Sequence, residues 1–213
     1  STILNISNSE QQNLLTLQDQ SPILCKLLVA ADGANSFVRQ QLQMPIAFWD
    51  YQHQALVAQI RTSEPHQSCA RQVFLPTGPL ALLPLADPHL VSIVWSTSPE
   101  QATELQAMPV DQFNKALTAA SNSVLGLLQL ESPLNSYPLK MRYASEWVLN
   151  KTVLVADAAH TIHPLAGQGV NLGLRDVAAL RTLVLQAQQR RQDWMSPHRL
   201  QRWARERRSE NTV

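Results

Sequence analysis

Apolar residues recur along this chain with changing periods, and each period predicts a different element. Residues 2–7 and 13–18 read as short strands around a polar turn from Ser7 to Gln12. Ile23 to Ala31 is a nearly continuous apolar run of strand length. That is the pattern of a strand buried on both faces of a parallel sheet, and it ends at the turn dipeptide Asp32-Gly33. Ser36 to Leu42 reads as a short helix. Four strand-like runs follow, at His53–Arg61, Ala70–Leu75, Leu80–Leu85 and Leu90–Ser96, separated by proline-containing turns, the pattern of an antiparallel sheet. Pro99–Ala107 and Val110–Leu130 read as helices, with Gly126 a soft spot in the second. Strands return at Pro138–Met141, Trp147–Asn150 and Lys151–Ala156, the last a buried one running into Asp157. A loop over 158–168 leads to a helix from near Gly169 to about Gln189, with Leu172, Val177, Leu180 and Val184 at helical spacing. Pro197 opens a last helix, to about Arg208.

The order of these elements predicts an α/β chain: part of a sheet domain over 1–44, an inserted β-rich domain over 45–140, and a return to the first domain over 141–213. The 213 residues are enough for one large domain or two small ones. A net charge of +1 gives no global pull toward nucleic acid. No apolar run reaches the roughly 18 residues of a membrane span. Residues 1–10 are polar, so no signal peptide is expected, and a cytoplasmic location fits. Cys25 and Cys69 are too few for a disulfide framework, and Cys25 reads as a reduced core residue.

Glycine use changes the picture. Of six glycines, four fall in two segments: Gly33, then Gly167, Gly169 and Gly173. In the first segment, Val29 to Arg39, a buried strand delivers the Asp32 carboxylate to its C-terminal end, Gly33 turns the chain, and Ser36 caps a helix. Ligands of open α/β sheets sit beyond such strand ends. In the second, Ala156 to Gly173, a strand again ends in a carboxylate, Asp157, followed by small residues, Pro164, and Gly167-Gln168-Gly169 leading into a helix. A helix N-terminus offers unpaired N–H groups and partial positive charge. Gly167 and Gly169 let a flat ligand approach the backbone, Asn171 can donate to a carbonyl oxygen, and Asp157 can accept from a sugar or ribityl hydroxyl. Together they suit a ring that becomes an anion and trails a polyol.

Other chemistries find less support. The fingerprint G-x-G-x-x-G directly after a strand is absent. His160-x-x-His163 lacks the further ligands zinc needs, so no metal is expected. No G-x-S-x-G elbow supports Ser-His-Asp hydrolysis.

The two segments, in this order, resemble the group A flavoprotein monooxygenases of the para-hydroxybenzoate hydroxylase fold. Asp32-Gly33 with Ser36 and Arg39 looks like their DG motif, and Asp157 to Asn171 like their GD motif. The runs Ala31–Ser36, Gly78–Leu85 and His163–Gly173 look most like the ubiquinone-biosynthesis hydroxylases, which act on prenylated phenols and quinols. The resemblance implies a partial FAD-binding Rossmann-like domain with an inserted β-sheet substrate domain. It implies FAD, NAD(P)H as reductant, and a C4a-hydroperoxyflavin that passes one oxygen atom of O2 to an aromatic ring. By the same resemblance Asp157 bonds the ribityl chain, and Gly169, Val170 and Asn171, with Gly167 and Gln168, approach the flavin pyrimidine edge. Asp32 and Gly33 support the pyrophosphate and the nicotinamide approach, and Arg39 either pins that turn or is a solvated helix residue. Pro164 lines the space between flavin and substrate, the substrate lying between the β-rich domain and Pro164.

Two departures from the family stand out. Ala156 replaces the usual glycine before the Asp, and the family carries a strand, G-x-G-x-x-G and helix ahead of the point where residue 1 aligns, and more chain beyond Asn211. The expectation is therefore a fragment that neither binds FAD tightly nor turns over by itself. Same-fold flavoenzymes with other chemistry (epoxidase, halogenase, prenyl-lipid reductase) and a non-enzymatic binding or assembly remnant stand as alternatives. Seven arginines between Arg190 and Arg208 read either as a patch facing anionic lipid, peripheral at an inner membrane, or a partner protein, or as a solvated helix face. A homo-oligomer stays open.

Overall fold

The computed structural model describes residues 2–161 and 168–211, with Gln168 represented by its backbone. The chain divides into two compact units, Ser1–Trp49 with Lys140–Val213, and Asp50–Leu139. The α/β class expected from the sequence holds, with helices packed on several sheets.

In the second unit, β5 (Ile46–Thr62), β6 (Arg71–Leu75), β7 (Gly78–Pro84) and β8 (Leu90–Thr97) pair antiparallel in the order β5-β8-β7-β6. Strand alternation sends Leu56, Ile60, Leu80, Leu82, Ile93 and Trp95 to one face. There they bury against Leu105 of α2 (Pro99–Ala107) and Phe113 and Leu117 of α3 (Val110–Ala120). Ser98 starts α2 by accepting the Gln101 N–H, with Pro99 in the first turn. The helix expected to reach Leu130 stops at Ala120. Asn122, Ser123 and Gly126 all have positive φ, and the chain returns as β9 (Leu128–Leu130), antiparallel to β5. Helix side chains bind the returning strand: Leu128 N–H donates to Thr118 Oγ1 and Leu130 N–H to Asn114 Oδ1. Leu125 and Leu128 are fully buried in this turn and strand, so their apolar spacing matched a helix without forming one.

In the first unit, β1 (Ile3–Asn8), β2 (Asn13–Leu17) and β3 (Ile23–Cys25) form an antiparallel sheet. A second sheet has the order β11 (Val148–Leu149), β12 (Thr152–Leu154), β4 (Leu28–Ala30), with β4 parallel to β12. The run from Ile23 to Ala31 is thus not one strand buried on both faces. It bends at Lys26, its two ends enter different sheets, and Ile23, Leu24 and Val29 are exposed. The reason lies in its partners. β3 is held antiparallel to β2 with Cys25 opposite Asn13, while the Leu28 N–H must turn to Lys151 O at 2.8 Å to begin the parallel pair. Fully buried Asn13 ties the sheets together: its Nδ2 donates to Lys151 O at 2.8 Å, and its Oδ1 accepts from Asn8 Nδ2 and Thr152 Oγ1.

The long helix α4 (Gln168–Gln189) and α5 (Pro197–Glu210) pack on this unit through Leu180, Leu200, Trp203 and Ala204. Their buried stripe differs from the expected one: Val177 is exposed, and Gly173, Asp176, Leu180 and Ala187 face inward. Asp176 forms an ion pair with Arg207 of α5 at 2.9 Å and binds His160 at 2.6 Å. Burial alone would raise the Asp176 carboxyl, but hydrogen bonds from His160 and Arg207 outweigh it and hold the group below its ordinary range.

Two outcomes follow from this packing. Ala156 has φ +53, which costs a non-glycine residue roughly 1–2 kcal/mol, and a Cβ at Gly173 would stand 2.6 Å from the Ala156 methyl. Gly173→Ala is expected to destabilise by about 1–3 kcal/mol, and adding Ala156→Gly to recover part of that loss. Urea unfolding of both single variants and the double variant measures the coupling; strict additivity would show that the two residues do not touch. The second outcome concerns acid. Because the native Asp176 value lies below the unfolded one, its contribution is complete above the unfolded carboxylate value, about 3.9, and is lost as pH falls through the native value. Asp176→Asn should start less stable and show a shallower loss of urea midpoint below about pH 4 than the parent. Equal acid limbs would remove Asp176 from that account.

Candidate functional site

Parallel pairing places the carboxyl ends of β4 and β12 side by side. Ala30 stands opposite Leu154, and the next rung is Val155 N–H to Ala30 O at 3.0 Å. The chain beyond each end carries one of the expected carboxylates, Asp32 and Asp157, and both are exposed.

The Asp32 turn is built by local hydrogen bonds. Asp32 Oδ2 accepts the Val38 N–H at 3.1 Å, Ser36 N–H donates to Gly33 O at 2.9 Å, and Ser36 Oγ accepts the Arg39 N–H at 3.0 Å. Gly33 has φ +84, and the space where a side chain would start is open. Ser36 thereby caps α1 (Phe37–Gln41). Arg39, 5% exposed, is a pin rather than a solvated residue. Its guanidinium donates to Ala34 O at 2.8 Å and to Ala158 O at 2.7 Å, tying the Asp32 turn to the segment after Asp157. Burial and neighbouring Arg142 lower its pKa, and Asp32 partly restores it.

Asp157 lies in a single 3-10 turn, Ala156–Ala158, rather than on the strand itself. The first turn of α4 brings Gly169, Val170 and Asn171 to the same unit. Gly169 has open space where a side chain would project, Val170 is 73% exposed, and Asn171 is exposed. Pro164, Gly167 and the Gln168 side chain lie outside the described residues, as does His163.

Sequence reasoning missed the buried group behind this surface. Asp176 Oδ2 accepts the Ala156 N–H at 3.1 Å and binds His160 Nε2, and Oδ1 accepts Arg207 Nε. The Trp203 indole N–H donates to the Asp176 carbonyl, and the His160 ring stacks on Trp147 with centroids 5.0 Å apart. β13 (His160–Thr161) carries His160, paired antiparallel with β10 (Asn135–Ala144) at Tyr143. One signal was available: Asp176 sits four residues from both Leu172 and Leu180, a carboxylate inside an apolar stripe. Arg207 is correspondingly withdrawn from the arginine patch, being 4% exposed and paired with Asp176.

Residues 8–210 match the family model described as FAD binding domain. The chain is 39% identical over 207 residues to the mitochondrial ubiquinone biosynthesis monooxygenase COQ6 of Xenopus tropicalis, covering 81% of this chain and 44% of that protein. It is 38% identical over 201 residues to the 3-demethoxyubiquinol 3-hydroxylase of Escherichia coli (strain K12), covering 93% of this chain and 50% of that protein. The chain therefore spans about half the length of these curated relatives. Among solved structures, CmlS, a flavin-dependent halogenase, superposes with a TM-score of 0.78 at 14% identity, over 97% of this chain and 39% of that one, a likeness of fold. With a family match across nearly its whole length, the chain belongs to the FAD binding domain family.

Proposed function

We propose that this chain is the FAD-contacting and substrate-facing part of a monooxygenase that hydroxylates the ring of a prenylated phenol or quinol in ubiquinone biosynthesis. The observation that carries the reading is the parallel register of β4 and β12, which sets Asp32 and Asp157 at one sheet edge in the unit that also carries the first turn of α4. The two relatives named above support the substrate class. The residues present fit FAD. Exposed Asp157 can accept from the hydroxyls of a polyol chain, and the open face at Gly169 admits a flat ring. N–H groups of the first turn can meet a carbonyl edge that gains negative charge. Exposed Asp32, beside the open face of Gly33, takes the pyrophosphate side and the approach of the nicotinamide.

When bound and reduced by NAD(P)H, the FAD supplies activation of O2 and delivery of one oxygen atom to the ring. The protein's part is to bind, orient and keep water out. Arg39 acts from behind, holding the two motif segments together. Residues 1–44 and 141–213 carry FAD in this reading, and 45–140 the substrate side.

FAD should bind the 213-residue chain reversibly and be lost on desalting, because β4 is the edge of its sheet among the described residues and the 213-residue sequence holds no G-x-G-x-x-G cradle. Asp157→Ala should weaken that binding by about tenfold or more, read as quenching of flavin fluorescence. No quenching by the parent chain at any FAD concentration would overturn the FAD reading. Hydroxylation is read as label from dioxygen entering a prenylated phenol when NAD(P)H and FAD are supplied to the product of the whole open reading frame. An unlabelled ring would sink that part.

No helix among the described residues is long and apolar enough to cross a membrane. A peripheral contact through the arginine stretch has its own support. Arg190, Arg199 and Arg202, the last paired with Glu206, line a cavity of about 370 Å³ between α4 and α5 together with Trp203 and Leu183. An anionic lipid surface suits such a lining, at about 1 kcal/mol per arginine, or roughly fivefold in binding each. Replacing all three by Glu should abolish salt-sensitive sedimentation with phosphatidylserine vesicles. Equal binding by parent and variant would assign these arginines to solvent.

A further inference from the structure

Asp157, the carboxylate assigned to the polyol chain, lies between two peptide groups that buried side chains hold. On one side the Ala156 N–H donates to Asp176 Oδ2 at 3.1 Å, and on the other the Ala158 carbonyl accepts from Arg39 Nη1 at 2.7 Å. Asp176 is carried by α4, five residues beyond Asn171 and seven beyond Gly169. At the helical rise that is about 8–11 Å along one rigid rod. The bond from Asp176 to Ala156 therefore joins the strand end bearing Asp157 to the helix whose first turn faces the ring.

The carboxylate is itself fixed from every direction. Oδ2 meets His160 Nε2 at 2.6 Å besides the Ala156 N–H, and Oδ1 accepts Arg207 Nε at 2.9 Å and Asn211 Nδ2 at 3.4 Å. An apolar contact here would hold the helix close but leave it free to slide or rotate. A carboxylate with its acceptor positions filled admits one arrangement. Asp176, His160 and Arg207 are 0%, 1% and 4% exposed, so they act on the site through the backbone rather than by touching a ligand. A buried ion pair is weak evidence for stability compared with apolar packing, and a geometric role accounts better for this one.

We infer that Asp176 is a positioning residue: held by His160 and Arg207, it locks the Ala156 peptide to α4 and so sets the span between Asp157 and the Gly169–Asn171 turn. This rests on the FAD reading above. The cluster also explains how alanine is accommodated in the left-handed conformation at 156, since its N–H has a charged acceptor placed to receive it.

Two measurements on the 213-residue chain test the inference. By amide exchange without ligand, Asp176→Asn should speed exchange at Ala156–Ala158 by about tenfold or more, leaving α2 and α3 unchanged. By FAD titration, the same variant should lose about 10- to 100-fold in affinity, as loss of an outer support does. It should lose little further when combined with Asp157→Ala, because both act on one contact. Unchanged exchange at Ala156–Ala158, or a loss fully additive with Asp157→Ala, overturns it. If Asp176→Asn does not fold, His160→Gln, which keeps a donor toward Asp176, and His160→Leu, which removes it, decide. The first should keep most of the affinity and the slow exchange, the second should lose both, and equal behaviour overturns the inference. A parent chain that takes up no FAD would overturn the FAD reading, and exchange would still decide whether Asp176 positions this segment.

Discussion

The parallel pairing of β4 with β12 is the constraint on which the rest of the structure depends. These strands lie more than a hundred residues apart, so neither motif can be completed locally. Once Leu28–Ala30 is in register with Thr152–Leu154, both chains must leave the sheet at the same edge, and each leaves with an acidic residue. Parallel strands require a long connection, and here most of it is an inserted unit, Asp50–Leu139, built around its own core of Leu56, Leu80, Ile93, Phe113 and Leu117. The insertion can vary in what it faces without altering the register that assembles the two carboxylates.

Around that register the unit divides its polar groups into two populations. Asp32, Asp157 and Asn171 are exposed, and their side chains are available to a ligand. Asn13, Arg39, His160, Asp176 and Arg207 are buried, and their hydrogen bonds bind segments to one another. Left unpaired, such a buried group would cost roughly 1–3 kcal/mol, and more if charged, so each is a strong constraint on where its partner segment lies. Asn13 fixes the β1–β2 hairpin to β12, Arg39 fixes the Asp32 turn to Ala158, and Asp176 fixes α4 to Ala156. The exposed residues are precise because the buried ones leave their backbones no alternative.

Much of this was legible in the sequence. The order of strands and helices, Ser36 as a cap, the long helix after Gly169 and the two acidic strand ends all follow from periodicity and turn chemistry. The misses share a physical cause. Ile23–Ala31 and Val110–Leu130 are apolar runs whose division depends on partners distant in sequence, Asn13 and Lys151 for the first and β5 for the second. Periodicity records that residues are buried and not what they are buried against. Asp176 escaped for a related reason: a carboxylate within an apolar stripe signals a buried pair without naming it, and its partners are 16 and 31 residues away. The alanine before Asp157 was visible as a departure from the family, but its left-handed backbone and its contact with Gly173 were not.

The arginine stretch shows the same division within one helix. On α5, Arg207 points inward to Asp176, while Arg202, one and a half turns earlier, is exposed and pairs with Glu206. A count of charges cannot separate the two, because both are arginines on a basic helix. Their energetic roles are nonetheless opposite. The exposed pair is worth at most about 1 kcal/mol and weakens with salt, whereas breaking the buried one costs about 3–5 kcal/mol and is little screened. The two pairs differ because the two faces of one helix see different dielectrics. The residue that belongs to the internal function is identified by its burial and its partner, not by its place in the run.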